Sequence, residues 1–321
     1  MSIRKRTWET KGGPKTAWVV DYKDQGGIRR LKSFARQKEA KAWWEGQTAY
    51  EIKQGTHTPE SASITVAEAA ANWIRRAELE GRERSTIAQY RVHVEMHINP
   101  RIGTIKLARL TTPGMGRFRD DLLESLSRPL AKKVLTSLKG ILKEAQRRGE
   151  VAQNVALPVS VRMAKRDKRK LEVGVDVPSP EEIRQIIAKA EGRWRPLIVT
   201  AIFTGLRSSE LRGLTWEHVD FDAKVIRVRQ RADKWHDLGS LKSHAGDRDV
   251  PMPPMVVNVL KEWRLVCPRG KLGLVFPSGA GNVEAHSNIY RRGLGATLEA
   301  CKLVGKDGRQ KYGLHALRHF Y

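Results

Sequence analysis

Cysteine and long apolar runs are scarce in this sequence. Only two cysteines, Cys267 and Cys301, occur in 321 residues, which excludes a disulfide framework and a zinc site built from four cysteines. We interpret both as small buried apolar side chains. No run of 18 or more apolar residues is present, so the sequence predicts no transmembrane helix and no membrane partner. The basic N-terminus lacks the apolar core of a signal peptide, which favours a cytoplasmic protein.

Acidic residues are also few relative to basic ones. The chain has 60 Lys plus Arg against 35 Asp plus Glu, a formal charge of +25 at pH 7. Such an excess favours a polyanionic partner, because each neutralised phosphate releases a condensed counterion. Nucleic acid and anionic lipid would both satisfy this charge. Charge therefore indicates a class of partner and no activity.

A small β-sheet followed by a helix is predicted at the N-terminus. Residues 16–22 and 28–34 have strand composition, and residues 24–27 supply a turn between them. Helical character follows over residues 36–54. The basic side chains of the second strand could enter a DNA groove, or they could lie on a solvated sheet face: Arg29, Arg30 and Lys32.

An all-helical segment is predicted next. Thr65 and Glu68 have the spacing of a capping box, in which each side chain satisfies the exposed backbone N–H of the other residue. The helix they open is expected to reach residue 80. Further helices are predicted over residues 85–96, from Thr112-Pro113 onward, and over residues 130–148. Together they indicate a compact helical domain over residues 64–160.

Residues 161–177 break this pattern and are predicted to be a linker. Residues 162–170 contain six basic residues, one acid and no apolar face. The charge suits a segment that follows a phosphate backbone, whereas a solvated tether is the alternative. The candidate DNA-binding residues here are Lys165, Arg166, Lys168 and Arg169.

The last domain, residues 178–321, contains three separated motifs. It is predicted to open with a cap at Ser179 and a buried helix over residues 196–203, followed by strands at 225–229, 239–242 and 248–250 and helices at 254–263 and 286–301. The first motif, TGLRSSEL over residues 204–211, holds Arg207 at a turn between helices. The second, residues 241–251, predicts a hairpin with Lys242 near its tip. In the third, HALRH, His315 and Arg318 are three residues apart and share a helix face.

These three motifs, in this order in a basic chain, resemble those of the tyrosine recombinase, or phage integrase, family. TGLRSSEL resembles the first arginine box, Lys242 resembles the family's β-hairpin lysine, and HALRH resembles the HxxR box. The resemblance covers the whole chain. It implies a multidomain, mainly α fold with small β-sheets: a lambda-integrase-like arm-type DNA-binding domain (residues 1–60, a three-stranded sheet plus helix), an all-α SAM-like core-binding domain and an α+β catalytic domain.

The resemblance also implies a reaction and the residues that perform it. Phosphodiester transesterification places extra negative charge on the non-bridging oxygens of a pentacoordinate phosphorus, and two arginines can each donate two hydrogen bonds to them. Arg207 and Arg318 would fill that role. Lys242 would protonate the leaving 5′ oxygen, His315 would bind the phosphate or assist proton transfer, and Glu210 would orient the basic residues. No cofactor or metal is expected.

The nucleophilic tyrosine is the point at which the sequence departs from the family's pattern. In the family it lies a few dozen residues beyond the HxxR box, whereas Tyr321 lies three residues after Arg318. We expect either a fragment of a longer, truncated integrase or a naturally inactive relative, and in both cases no strand cleavage by this polypeptide alone. Rival hypotheses are a type IB topoisomerase, which needs no specific site, and a non-catalytic site-specific DNA-binding protein.

The resemblance implies partners as well. We expect double-stranded DNA at attachment sites, a homo-tetramer on that DNA, and possible help from a DNA-bending accessory protein. Localisation would be cytoplasmic, on the nucleoid. Phage and conjugative-element integrases remain equally compatible with the sequence.

Overall fold

The computed structural model describes residues 1–10, 12–24, 27–45, 49, 52, 59, 63–162, 171–241, 246–305 and 308–321. Contacts divide the chain into two compact units, Met1–Asp167 and Lys168–Tyr321. The fold is multidomain and mainly helical with small antiparallel sheets, as predicted.

The first unit begins with a three-stranded antiparallel sheet in the order β1-β2-β3. Its elements are β1 (Ser2–Thr10), β2 (Gly13–Lys23), β3 (Arg29–Phe34) and helix α1 (Gln37–Trp43). Val20, Tyr22 and Ala40 form a small core between the sheet and the helix. The strands at residues 16–22 and 28–34 are thus confirmed, although β2 begins three residues earlier.

The helical part of the first unit packs around a second core. Its helices are α2 (Val66–Leu79), α3 (Arg84–His93, continuing as a π-helical stretch Val94–Ile98 and a last turn Asn99–Ile102), α4 (Thr112–Ser125) and α5 (Arg128–Arg147). The capping box is confirmed: Glu68 N–H donates to Thr65 Oγ1 at 3.2 Å, and Thr65 N–H donates to Glu68 Oε2 at 2.7 Å. The residue that caps α4 is Thr111, one before the predicted Thr112.

The second unit surrounds the largest core with helices and two small sheets. The helices are α6 (Pro180–Lys189), α7 (Trp194–Thr204), α8 (Ser208–Arg212), α9 (Pro254–Val266), α10 (successive segments His286–Asn288, Ile289–Gly295 and Ala296–Ala300) and α11 (Leu314–Arg318). The strands are β4 (Val219–Asp220), β5 (Val225–Val228), β6 (Gln230–Ala232), β7 (Leu238–Ser240) and β8 (Arg248–Pro251). The cap at Ser179 and the buried helix after it are confirmed.

The strand pairing of this unit corrects the predicted hairpin. β7 pairs with β6, whereas β8 pairs with β5, so the two described strands on either side of Lys242 do not pair with each other. The observed hairpin turns at residues 233–237, where Asp233 Oδ1 accepts the backbone N–H groups of Trp235 and Asp237. Lys242 lies outside the described residues. The sequence reasoning failed here because strand composition does not specify which strands pair.

Candidate active site

Arg207 is presented at the junction of two helices. α7 ends at Thr204, and Gly205 adopts φ +57°, the left-handed conformation that glycine enters without steric cost. Arg207 is then the N-cap of α8, and its backbone N–H donates to Glu210 Oε2 at 2.8 Å. Its Nη1 also donates to Glu210 Oε1, at 2.7 Å. The side chain nevertheless stays 53% exposed, so its charge faces outward.

Glu210 is the buried anion at the centre of the site. Its side chain is 2% exposed and also accepts Arg248 Nη2 at 2.8 Å and Arg248 Nη1 at 3.3 Å. Burial by itself would raise the pKa of Glu210, but the hydrogen bonds from Arg248 and Arg207 outweigh burial and lower it. The carboxylate is therefore ionised at neutral pH and fixes two guanidinium groups.

Arg318 reaches the same carboxylate from α11, but it does not bond to it. Its Nη1 lies 4.0 Å from Glu210 Oε2, and this buried nitrogen has no hydrogen-bond acceptor among the residues that the structure describes. Burial lowers the pKa of Arg318, and repulsion from Arg207 lowers it further. A buried donor without an acceptor costs about 1–3 kcal/mol. An incoming anion would remove that cost.

His315 lies one helical turn before Arg318 and on the same face of α11. Its ring is 4.6 Å from the ring of His319 in an edge-on arrangement. Burial lowers the pKa of His315, and the charges of His319, Arg318 and Arg207 lower it further. At neutral pH the imidazole is therefore uncharged and can either accept or donate a hydrogen bond.

The segment before α11 is held by the first helix of the unit. Tyr312, which is 1% exposed, donates its hydroxyl to Glu182 Oε2 at 2.7 Å, and Lys311 Nζ donates to Glu182 Oε1 at 2.6 Å. Glu182 also accepts the Ser179 N–H at 2.8 Å as part of the α6 capping box. Burial raises the pKa of Tyr312 to about 12, and its bond to Glu182 adds to the rise. This network fixes where α11 begins.

Comparison with known proteins identifies this domain. Residues 178–321 match the model of the phage integrase family. Residues 178–321 are therefore similar to the domain that defines the phage integrase family. A tyrosine recombinase XerC-like protein of Caldanaerobacter subterraneus subsp. tengcongensis is 25% identical over 93% of this chain and 82% of its own length. An integrase of Streptomyces ambofaciens is 27% identical over 80% of this chain and 68% of its own length.

Solved integrase structures share the fold. The Tn1549 transposon integrase in complex with transposon right end DNA aligns with a TM-score of 0.66 at 19% identity, covering 80% of this chain and 85% of the other. A lambda integrase dimer bound to a COC' core site aligns with a TM-score of 0.63 at 15% identity, covering 98% and 85%. Together with the family match, the relatives support site-specific recombination of the tyrosine recombinase type.

The integrase domain brings together four of the five site residues that the sequence proposed. Arg207, Glu210, His315 and Arg318 converge, although the first and last are 111 positions apart in the sequence. Lys242 lies outside the described residues. Sequence reasoning missed Arg248 as a partner of Glu210. The available signal was its place in the Arg248-Asp249-Val250-Pro251 strand of the second motif.

The candidate DNA-binding arginines and lysine of β3 do not form one patch. Alternation along the strand separates them: Arg29 bonds to Asp21 with Nε at 2.9 Å, whereas Lys32 Nζ lies 4.8 Å from the Trp43 ring on the helix side of the sheet. Arg30 bonds to Asp24 at 2.9 Å. The linker candidates Lys165, Arg166, Lys168 and Arg169 lie outside the described residues.

Two further features bear on the chemistry. Among the described residues no three His, Cys, Asp or Glu side chains are grouped to hold a metal ion. No helix in the described part of the chain has the length and apolarity needed to cross a membrane.

Proposed function

We propose that this chain binds double-stranded DNA at attachment sites and that Arg207, His315 and Arg318 together hold one scissile phosphate there. One observation carries the proposal: Arg207 and Arg318 converge beside Glu210, with His315 on the same helix face as Arg318, and Arg318 Nη1 is buried without an acceptor among the described residues. A non-bridging phosphate oxygen supplies the missing acceptor. Arg207, half exposed and anchored by Glu210, supplies the second guanidinium.

The charge of the site suits a phosphodiester better than a neutral ligand. Glu210 neutralises one of the three guanidinium groups of Arg207, Arg248 and Arg318, so a net charge of about +2 faces the substrate. The pentacoordinate transition state carries more negative charge on its oxygens than the ground state does. Donors fixed in advance therefore stabilise the transition state more strongly than the substrate.

Lys242 is our candidate for the general acid that protonates the leaving 5′ oxygen. In the sequence it lies between Leu241 and Gly246, both of which are described. Gly246 contacts the site through Arg248: Gly246 O accepts Arg248 Nη1 at 3.0 Å, and Arg248 donates to Glu210. An ammonium on a flexible stem can deliver a proton and then be reprotonated.

We further propose that the nucleophile is not among the six tyrosines of these 321 residues. Tyr312 is buried, and its pKa is raised to about 12, which opposes the phenolate form. The Tyr321 ring packs on Gly205, so close that a Cβ at Gly205 would lie 2.7 Å from Tyr321 Cδ1. The Tyr22 ring is buried in the core between the N-terminal sheet and α1, and the Tyr90 ring stacks on Trp73 with ring centroids 4.2 Å apart. The chain then binds the scissile phosphate without forming a 3′-phosphotyrosyl link itself. The 5′ oxygen leaves, and a mobile element is integrated or excised, only when a tyrosine hydroxyl that these 321 residues do not supply attacks the phosphorus.

DNA as the partner is supported by the charge of +25 and by two solved relatives. A lambda integrase dimer is bound to a COC' core site, and a lambda integrase tetramer is bound to a Holliday junction. We propose the same kind of partner here, with a homo-tetramer as the assembled form on DNA. The basic linker and the N-terminal sheet would add backbone contacts and a second DNA specificity.

The test begins with selection of bound duplexes from a random pool at near-physiological salt. The selected duplex is then scanned with neutral methylphosphonate at each position, which locates a phosphate whose charge matters to binding. Arg207→Gln and Arg318→Gln should each reduce the preference for the charged phosphate at that position, because each variant leaves only one of the two guanidinium groups. Arg184→Gln, a matched control at a 76% exposed arginine of α6, should leave it unchanged.

A nicked suicide substrate separates the two parts of the proposal. We expect binding to the selected duplex without a covalent protein–DNA adduct. An adduct would refute the absence of the nucleophile and leave phosphate binding intact. A duplex that binds equally well at every methylphosphonate position would refute phosphate capture itself.

A further inference from the structure

Arg248 completes the set of hydrogen-bond donors around the Glu210 carboxylate. A carboxylate offers about four acceptor positions, and four donors occupy those of Glu210. Oε1 accepts Arg207 Nη1 at 2.7 Å and Arg248 Nη1 at 3.3 Å. Oε2 accepts the Arg207 backbone N–H at 2.8 Å and Arg248 Nη2 at 2.8 Å. No acceptor position is left for a third arginine.

Arg318 is the arginine that this saturation excludes. Its Nη1 stops 4.0 Å from Glu210 Oε2, just beyond hydrogen-bond distance, and finds no other acceptor in the described part of the chain. Without Arg248, two acceptor positions would open on a buried anion, 4.0 Å from a buried guanidinium nitrogen that has no hydrogen-bond acceptor among the described residues. Because Arg318 Nη1 and the Glu210 carboxylate are both shielded from water, Arg318 would close that gap and hydrogen-bond to Glu210.

We propose that Arg248 is a positioning residue: by filling Glu210, it keeps the guanidinium of Arg318 open for the scissile phosphate. The inference rests on the proposed function, since it concerns the availability of one of the two phosphate-binding arginines. Arg248 itself is fixed from β8, where it also donates to Gly246 O at 3.0 Å. It needs no contact with DNA to act. The site thus uses three arginines for two phosphate ligands.

A double-mutant cycle tests this inference with one readout. The measured quantity is the ratio of dissociation constants for the methylphosphonate and phosphodiester forms of the selected duplex. This ratio isolates the charge of one phosphate, because damage elsewhere in the protein weakens both complexes alike. Arg318→Met should lower the ratio by about tenfold to a hundredfold, the range for a hydrogen bond to a charged group.

Arg248→Met should lower the ratio almost as far as Arg318→Met, because Arg318 would then be held by Glu210. The double variant should fall no more than about threefold below either single variant. Arg248→Lys, which keeps a cation and donors for Glu210, should recover part of the ratio. Thermal unfolding of each variant shows that the integrase domain is folded at the binding temperature.

Two results would overturn the inference while leaving phosphate capture standing. One is an unchanged ratio in Arg248→Met beside a reduced ratio in Arg318→Met. The other is full additivity in the double variant, which would mean that the two arginines act independently. An unchanged ratio in Arg318→Met would instead refute the proposed function, and the role of Arg248 would fall with it.

Discussion

Removing one hydroxyl from Tyr312 should measurably weaken the integrase domain. The Tyr312→Phe substitution leaves the buried ring in place and deletes only the donor to Glu182, 2.7 Å away. The cost therefore reports a single charge-assisted hydrogen bond with no large cavity. A hydrogen bond to a charged group contributes about 1.5–3 kcal/mol.

The lower end of that range applies, because the carboxylate is not left bare. Glu182 still accepts Lys311 Nζ at 2.6 Å and the Ser179 N–H at 2.8 Å. We expect a loss of about 1.5 kcal/mol. For a domain of this size, 1 kcal/mol shifts the melting temperature by roughly 2–4 °C, so the midpoint should fall by about 3–6 °C.

Differential scanning calorimetry of the chain measures that shift in the transition assigned to the integrase domain. Tyr290→Phe is the matched control: Tyr290 lies half-buried in the same unit, and a substitution there should stay within about 0.5 kcal/mol. Glu182→Gln should cost more than Tyr312→Phe, because it removes the charge that Lys311 pairs with. A Tyr312→Phe midpoint equal to that of the wild type would refute the view that this bond fixes the start of α11.

Three more measurements test other parts of the structure. Gly205→Ala should destabilise the domain by about 1–3 kcal/mol through backbone strain and contact with Tyr321. In chemical unfolding, this loss of stability should exceed that of Gly192→Ala, where φ is +52° and an added Cβ would meet no described atom within 4 Å. In an NMR titration the pKa of His315 should lie below its ordinary value of 6.5. Protonation of His315 then favours the unfolded state, so the stability of the domain falls as the pH drops below 6.5. A His315 titration midpoint above 6.5 would contradict this prediction. Asp21→Asn should release its two arginine partners, so DNA binding should tighten. The slope of the logarithm of the binding constant against the logarithm of salt concentration should steepen by roughly 0.9 for each phosphate gained. An unchanged slope would exclude this sheet face from the interface.

Local signals predicted most of the elements. The capping boxes at Thr65 and Ser179 marked the first residues of α2 and α6, because a cap requires particular side chains at a fixed spacing. The helical spacing of Val134, Leu135 and Leu138 predicted the buried face of α5, and all three are at most 2% exposed. Resemblance in three short motifs was enough to predict the family, which the family match supports.

Pairings between distant residues could not be predicted in the same way. Which strand pairs with β8 depends on the tertiary path of the chain, and the sequence reasoning paired it wrongly within residues 241–251. The hydrogen bond between Arg248 and Glu210 could not be predicted for the same reason, because no local sequence pattern connects two residues 38 positions apart. Motif resemblance named Arg207 and Arg318. It did not reveal that only one of them bonds to the carboxylate.

The hydrogen bond from Tyr312 to Glu182 joins residues that are 130 positions apart in the sequence. Closing a loop of that length carries a large entropic penalty before any contact forms, so such contacts tend to be made late in folding. A polypeptide emerging from the ribosome would expose α7 and α8 well before Arg318 exists. The proposed phosphate site is therefore assembled only after Arg318 has been synthesised, and a half-made chain lacks one of its two arginines.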